Sequence, residues 1–153
     1  MKRKIMMMLL AVIFCFVGCG SSEQTDEEIA AQFKEMATGI QFEESYEESV
    51  ASSMESAFDE DAQHESVYTY QAILKNPTNT DFEEVLIYVT YIDEAGNNGE
   101  ESFQVREWNA GKEGNFVSLT EFEEKISDFE INKIQWLKAG TENWCEVVLN
   151  SAE

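Results

Sequence analysis

From Val67 onward, β-branched and aromatic residues alternate with polar ones in short runs cut by turn residues, a pattern that confines the chain to a multi-stranded antiparallel fold. The expected strands span 67–75, 85–93, 102–108, 115–119, 125–129, 131–138 and 144–149. The breaks carry their own chemistry. Asn76-Pro77-Thr78-Asn79 removes a backbone donor and favours a turn. Glu94-Ala95-Gly96-Asn97-Asn98-Gly99 and Ala110-Gly111-Lys112-Glu113-Gly114 supply residues that tolerate positive φ. Short strands joined by such loops predict a mainly β fold, a two-layer β-sandwich.

Alternation also assigns faces. Val85, Ile87, Val89 and Tyr91 form one apolar side of their strand, and Cys145 falls beside Val147 and Leu149 as a small buried hydrophobe. Yet Leu86, Tyr88 and Ile92 make the second side of the same strand apolar too. A two-sheet sandwich buries only inner faces. That outer stripe is therefore covered by a helix, scattered harmlessly on the surface, or exposed as a partner-contact patch. Helix cover or scatter is the favoured reading, with Leu86, Tyr88 and Ile92 as the candidate contact residues. Of the tryptophans, Trp108, Trp136 and Trp144 are expected in the core rather than on a stacking platform for sugars or peptides.

The chain begins differently. Lys2-Arg3-Lys4 precedes the apolar stretch Ile5 to Val17, and Gly18 and Gly20 flank Cys19, which is signal-peptide architecture. A 13-residue apolar helix spans about 20 Å, short of the roughly 30 Å hydrocarbon core a permanent span must cross. Phe16-Val17-Gly18-Cys19 resembles the bacterial lipoprotein lipobox, in which a cysteine behind a small residue is thioether-linked to diacylglycerol and becomes the mature N-terminus. Cys19 fits that role. The competing Cys15 follows the bulky Phe14, and Phe16 departs from the leucine commoner at its position. Two or three acyl chains, at about 0.8 kcal/mol per buried methylene, hold a protein stably at a bilayer. The expected organisation is a leader over 1–18, an acidic, weakly helical stalk over 19–65 and the sandwich over 66–153.

Within the stalk, Ile29, Phe33, Met36 and Ile40 recur at helical spacing behind Thr25, with Glu28 three residues after it, the pattern of a capping box. Tyr46, Val50, Met54 and Phe58 repeat every four residues and suggest a second helix. The rest of the segment is polar and acidic, the composition of a solvated tether.

Charge excludes one class of partner. The formal charge is −21, and −24 once Lys2, Arg3 and Lys4 leave with the leader, so nucleic acid is repelled. Cys145 is the one cysteine left beyond Cys15 and Cys19, which rules out an internal disulfide. His64 is the single histidine, and no Walker loop, zinc-ligand cluster or Gly-x-Ser-x-Gly motif is present. Paired glutamates occur throughout and so specify no glycosidase geometry. The chain reads as non-enzymatic and without a cofactor. Asp93 to Glu101 invites a calcium reading, but Ala95 and Gly96 occupy the wrong positions for an EF-hand loop, and a hairpin turn is the better account.

Tyr70 to Thr78, then Asp81-Phe82-Glu83-Glu84-Val85, then Val89 to Gly96, resembles in its order of parts the FxLYD-type extracytoplasmic domain of Gram-positive lipoproteins. Trp108-Asn109-Ala110-Gly111-Lys112 is similar to that family's later Leu-x-Pro-Gly-Glu segment. Val89 replaces the family's Phe, Tyr91 and Ile92 replace its Leu and Tyr, and Asp93 is kept. The likeness covers about residues 67 to 120. It implies an immunoglobulin-like β-sandwich on the outer face of the membrane, with no enzymatic activity to carry over. Asn76 and Asp93 match family positions and read as turn residues that bond nearby backbone amides. The expected role is a lipid-anchored surface protein whose sandwich engages an envelope or extracellular protein; the alternative is binding of a cation or ligand through acidic loops.

Overall fold

The structure, a computed structural model, describes residues 23–49 and 65–150. The expected leader over 1–18, Cys19, His64 and the Val50, Met54 and Phe58 repeat lie outside the described residues. The elements are α1 (Asp26–Ala37), β1 (Glu43–Ser49), β2 (Glu65–Lys75), β3 (Phe82–Asp93), β4 (Asn98–Trp108), β5 (Glu113–Ser118), β6 (Ile126–Lys138) and β7 (Trp144–Val148). All seven strands join one antiparallel sheet in the order β1-β2-β5-β4-β3-β6-β7. The protein is mainly β, as its alternation predicts.

The sheet is bent over its own buried face. In a flat sheet β2 and β6 would lie about 19 Å apart, four strand spacings at roughly 4.8 Å each. Instead the Tyr70 ring of β2 meets the Phe129 ring of β6 at 5.0 Å, and the Tyr70 hydroxyl accepts a hydrogen bond from Ile126 N at 2.7 Å. The bend falls at the β4–β5 seam, where only Phe103↔Ser118 and Gln104↔Val117 pair. Thus β1-β2-β5 faces β4-β3-β6-β7, a β-sandwich-like arrangement. Val85, Ile87, Val89, Phe103, Phe116, Ile134 and Trp136 lie between the halves, each essentially inaccessible to solvent. Burial desolvates the Tyr70 phenol and pushes its pKa above the usual value.

Helix α1 starts where the capping box places it. Thr25 Oγ1 accepts from Glu28 N at 3.3 Å, and a Glu28 carboxylate oxygen accepts from Thr25 N at 2.9 Å. Ile29 and Phe33 are fully buried. Phe33 contacts Trp136 at 5.3 Å, Phe82 at 5.5 Å and Trp108 at 6.2 Å between ring centroids. Just beyond the helix, Phe42 stacks on Phe103 at 4.1 Å and touches Phe129 at 4.8 Å.

These contacts correct the stalk reading for its described part. Residues from Gln24 to Ser49 belong to the sandwich, because the apolar face of α1 and the whole of β1 use it as their partner. Sequence composition registers the acidic outer face of α1, not the two side chains that dock. The second helix is corrected at its described start: Glu43–Ser49 is a strand, with Glu43↔Gln71 through Ser49↔Glu65 in register against the edge of β2. Around Tyr46 helical spacing loses to backbone hydrogen bonds that only a distant partner can offer. The expected strands 125–129 and 131–138 are one strand, β6, whose register against β3 shifts between Tyr88↔Lys133 and Val89↔Ile131. The carbonyl of Asn132, the residue skipped there, accepts from Leu149 N at 2.7 Å.

One ion pair seats the start of α1. Lys138 Nζ lies 2.8 Å from Asp26 Oδ1 and donates to Gln24 O at 3.2 Å. Lys138 holds the Asp26 carboxyl below its ordinary value near 3.8, with lesser help from the Cys145 thiol. The buried Trp136 Nε1 has no hydrogen-bond partner among the described residues. A carboxyl depressed by folding stabilises the fold above its unfolded pKa and loses that contribution as pH falls through the folded value. Asp26 is half exposed, so the amount is a few tenths of a kcal/mol. Urea midpoints measured from about pH 5 to 2.5 should therefore fall less steeply in Asp26→Asn than in the parent protein; parallel curves would exclude this contribution.

Candidate functional site

Leu86, Tyr88 and Ile92 do lie together on the outward side of β3. Leu86 pairs with Gln104 and Gln135, Tyr88 with Ser102 and Lys133, and Ile92 with Asn98 and Asp128. The expectation that α1 covers this stripe is corrected: the helix packs on the opposite, Val85 side of the strand, where Trp108 and Trp136 offer a larger apolar surface. Leu86 and Tyr88 are half-buried by their cross-strand neighbours, and Ile92 is 44% exposed.

Three further apolar residues share the face. Leu137 pairs with Trp144 and Lys133 with Val148, which places Trp144 (44% exposed) and Val148 (49% exposed) at the sheet edge. The same alternation that turns Cys145 inward turns Trp144 and Val148 outward, so the signal was present in residues 144–149. Trp108 and Trp136 are core residues, whereas Trp144 departs from the core expectation because β7 is an edge strand presenting it to solvent.

The charges on this face are matched. Arg106 Nε lies 3.7 Å from Glu84 and Lys133 Nζ 3.6 Å from Glu146, while Gln104 donates to Glu84 and Gln135 donates to Glu146 at 2.8 Å. Lys133 also sits 4.5 Å from the Tyr88 ring centroid. Gln135 first, then Lys133, holds the Glu146 carboxyl below the usual carboxylate value. Exposed pairs of this kind add little to stability. Their consequence is a nearly neutral middle to one face of a chain carrying −21.

The turn residues act as read. Asn76 is buried: its Oδ1 accepts from Thr78 N at 2.9 Å and Thr78 Oγ1 at 2.8 Å, and its Nδ2 donates to Thr80 O at 2.9 Å and Trp108 O at 3.1 Å. Asp93 Oδ1 accepts from Asn97 N at 2.7 Å and Oδ2 from Asn97 Nδ2 at 2.9 Å. Those bonds lower the Asp93 pKa and close a hairpin turn that Gly96 completes at φ 84°.

A hollow of about 320 Å³ beside that hairpin is lined by Tyr91, Asp93, Glu121, Glu123 and Glu124. Among the described residues no group of three or more His, Cys, Asp or Glu side chains is placed to hold a metal ion. A second hollow, about 510 Å³, lies between the end of α1 and β6, with Lys34, Ile40, Phe129, Ile131, Leu149 and Asn150 in its wall. Cys145 is half-buried in the reduced state, and burial followed by the Asp26 charge pushes its thiol pKa up, away from nucleophilic use.

No protein-family model, curated protein or solved structure matches this chain. No helix among the described residues is long and apolar enough to cross a membrane.

Proposed function

We propose that this protein is a non-enzymatic surface lipoprotein, held at the outer face of the membrane through a diacylglyceryl thioether on Cys19 and presenting its sandwich as an interaction module to an envelope or extracellular protein. The observation that carries the reading is the order Lys2-Arg3-Lys4, thirteen apolar residues, Gly18-Cys19. The mainly β domain agrees with the FxLYD-type likeness at the level of fold class; the immunoglobulin-like topology and the family itself remain part of the proposal. The residues that drew chemical attention have structural employment: Asn76 and Asp93 close turns, Trp108 and Trp136 fill the core, and Cys145 faces inward.

The anchor has a direct test. Intact-mass analysis of protein from cells should give a chain beginning at Cys19 that carries diacylglycerol. A Cys19→Ala variant should move from the membrane fraction into the soluble or secreted fraction. A mature protein that keeps Met1, or a free thiol at Cys19, would overturn the proposal. Crosslinking on intact cells then identifies the partner.

A further inference from the structure

We infer, resting on the Cys19 anchor, that the sandwich stands against the bilayer with its 76–81, 109–112 and 139–143 turns toward the lipid headgroups, and its acidic 93–97 and 119–125 loops pointing away. The deciding residue is Gln24. Its side-chain oxygen accepts from Asn79 N at 3.2 Å, its carbonyl accepts from Lys138 Nζ at 3.2 Å, and its amide donates to Gln32 at 2.7 Å. The next residue is the Thr25 cap of α1, whose Phe33 is locked into the core. The folded body therefore starts five residues after Cys19, and five extended residues reach about 17 Å at most. A stalk of 46 residues would allow a typical reach of about 40 Å and any orientation. This one allows neither.

The end where Gln24 is pinned is a single unit. Asn76 N donates to Lys112 O at 2.8 Å, Ala110 N to Asp81 Oδ1 at 2.8 Å and Ala139 N to Asp81 O at 3.0 Å, so three turns are tied together there. The other end is fixed by β3, whose Phe82 pairs with Trp108 and Lys138 and whose Asp93 pairs with Ile126. Twelve residues of strand place the two ends about 36 Å apart.

Charge does not separate the two ends: the near turns carry Asp81 and Glu142 against Lys112, and the first turn of α1 beside Gln24 adds Asp26, Glu27 and Glu28 against Lys138, while the far loops carry Asp93, Glu94, Glu121, Glu123 and Glu124 against Lys125. The orientation rests on the short tether and on where Gln24 is pinned. Trp144, exposed beside the 139–143 turn, gives the near end an aromatic ring with an apolar body and a polar edge, the type of side chain that suits a headgroup region. The far loops, with the neighbouring ends of β3 and β6, are the surface left facing outward for a partner.

The test uses full-length lipidated protein reconstituted in phosphatidylcholine–phosphatidylglycerol vesicles. In a Cys145→Ser background, a donor fluorophore is placed at Glu142→Cys or at Glu123→Cys, and an acceptor on lipid headgroups. Energy transfer from position 142 should exceed that from position 123 severalfold, and a twenty-residue Gly/Ser insertion after Gly20 should bring the two toward equality. Equal or reversed transfer in protein whose Cys19 carries lipid by mass would overturn the orientation while leaving the anchor intact. Unmodified Cys19 in the same samples would overturn the anchor, and the orientation with it.

Discussion

Replacing Phe33 with alanine will destabilise the protein by about 3–5 kcal/mol, the range for truncating a fully buried aromatic side chain. The ring is inaccessible to solvent and touches Phe82, Trp108 and Trp136 at once. Its loss opens a void under both core tryptophans, neither of which can collapse into it without leaving the sheet. Aromatic pairs contribute roughly 0.5–1.5 kcal/mol beyond burial, and three such contacts go together. The result separates two pictures of the N-terminal segment. In a solvated stalk the substitution would be silent; in an integral helix it lowers the urea midpoint strongly at unchanged slope. Lys34→Ala, one residue away on the exposed side of α1, should change stability by less than about 0.5 kcal/mol and serves as the control. A Phe33→Ala protein as stable as its parent would remove α1 from the folded body, and with it the short tether on which the proposed membrane orientation depends.

Asn76→Ala is the second large effect, expected at about 3 kcal/mol or more. Four hydrogen bonds end on this one amide, and its removal leaves Thr78 N, Thr78 Oγ1 and the Trp108 carbonyl short of partners in a site closed to water. An unsatisfied buried polar group costs roughly 1–3 kcal/mol, and part of the loss is recovered because Thr78 Oγ1 and Thr80 O still face each other at 3.2 Å. Asn76→Asp should be no milder, since a carboxylate oxygen would then face two carbonyl oxygens. Asn79→Ala, whose side chain is exposed in the same turn, should be nearly neutral. If thermal melting shows Asn76→Ala and Asn79→Ala to be alike, the turn is held by Pro77 and backbone bonds alone, and the side-chain network is ornamental.

What could be read from residues, and what could not, follows from the range of the forces involved. The alternation in 85–92 placed Val85, Ile87 and Val89 inside and Leu86, Tyr88 and Ile92 outside, because side-chain direction in a strand is a local property. Asn76, Asp93 and the Thr25–Glu28 cap were equally legible, since each bonds backbone within five residues of itself. Seven strands were expected and seven are present among the described residues, although they are not the same seven. β1 went unread because Glu-Glu-Ser-Tyr-Glu-Glu-Ser has no apolar alternation and becomes a strand only beside β2. The break expected near Glu130 vanished because β3 supplies a continuous partner, with the irregularity absorbed as a bulge.

The amino-acid order by itself determined the strand faces, the turns and the helix start, all of which rest on near neighbours and on hydrophobic pattern. Only the tertiary structure decided that α1 docks on the Val85 face and leaves the Leu86 stripe open, that the sheet bends at the β4–β5 seam, and that the acidic N-terminal segment joins the core. Those outcomes depend on contacts between residues far apart in the chain, such as Phe33 with Trp136 and Tyr70 with Ile126. Periodicity shows that a face is apolar; which of the available partners covers it depends on the shape and area that each presents after folding.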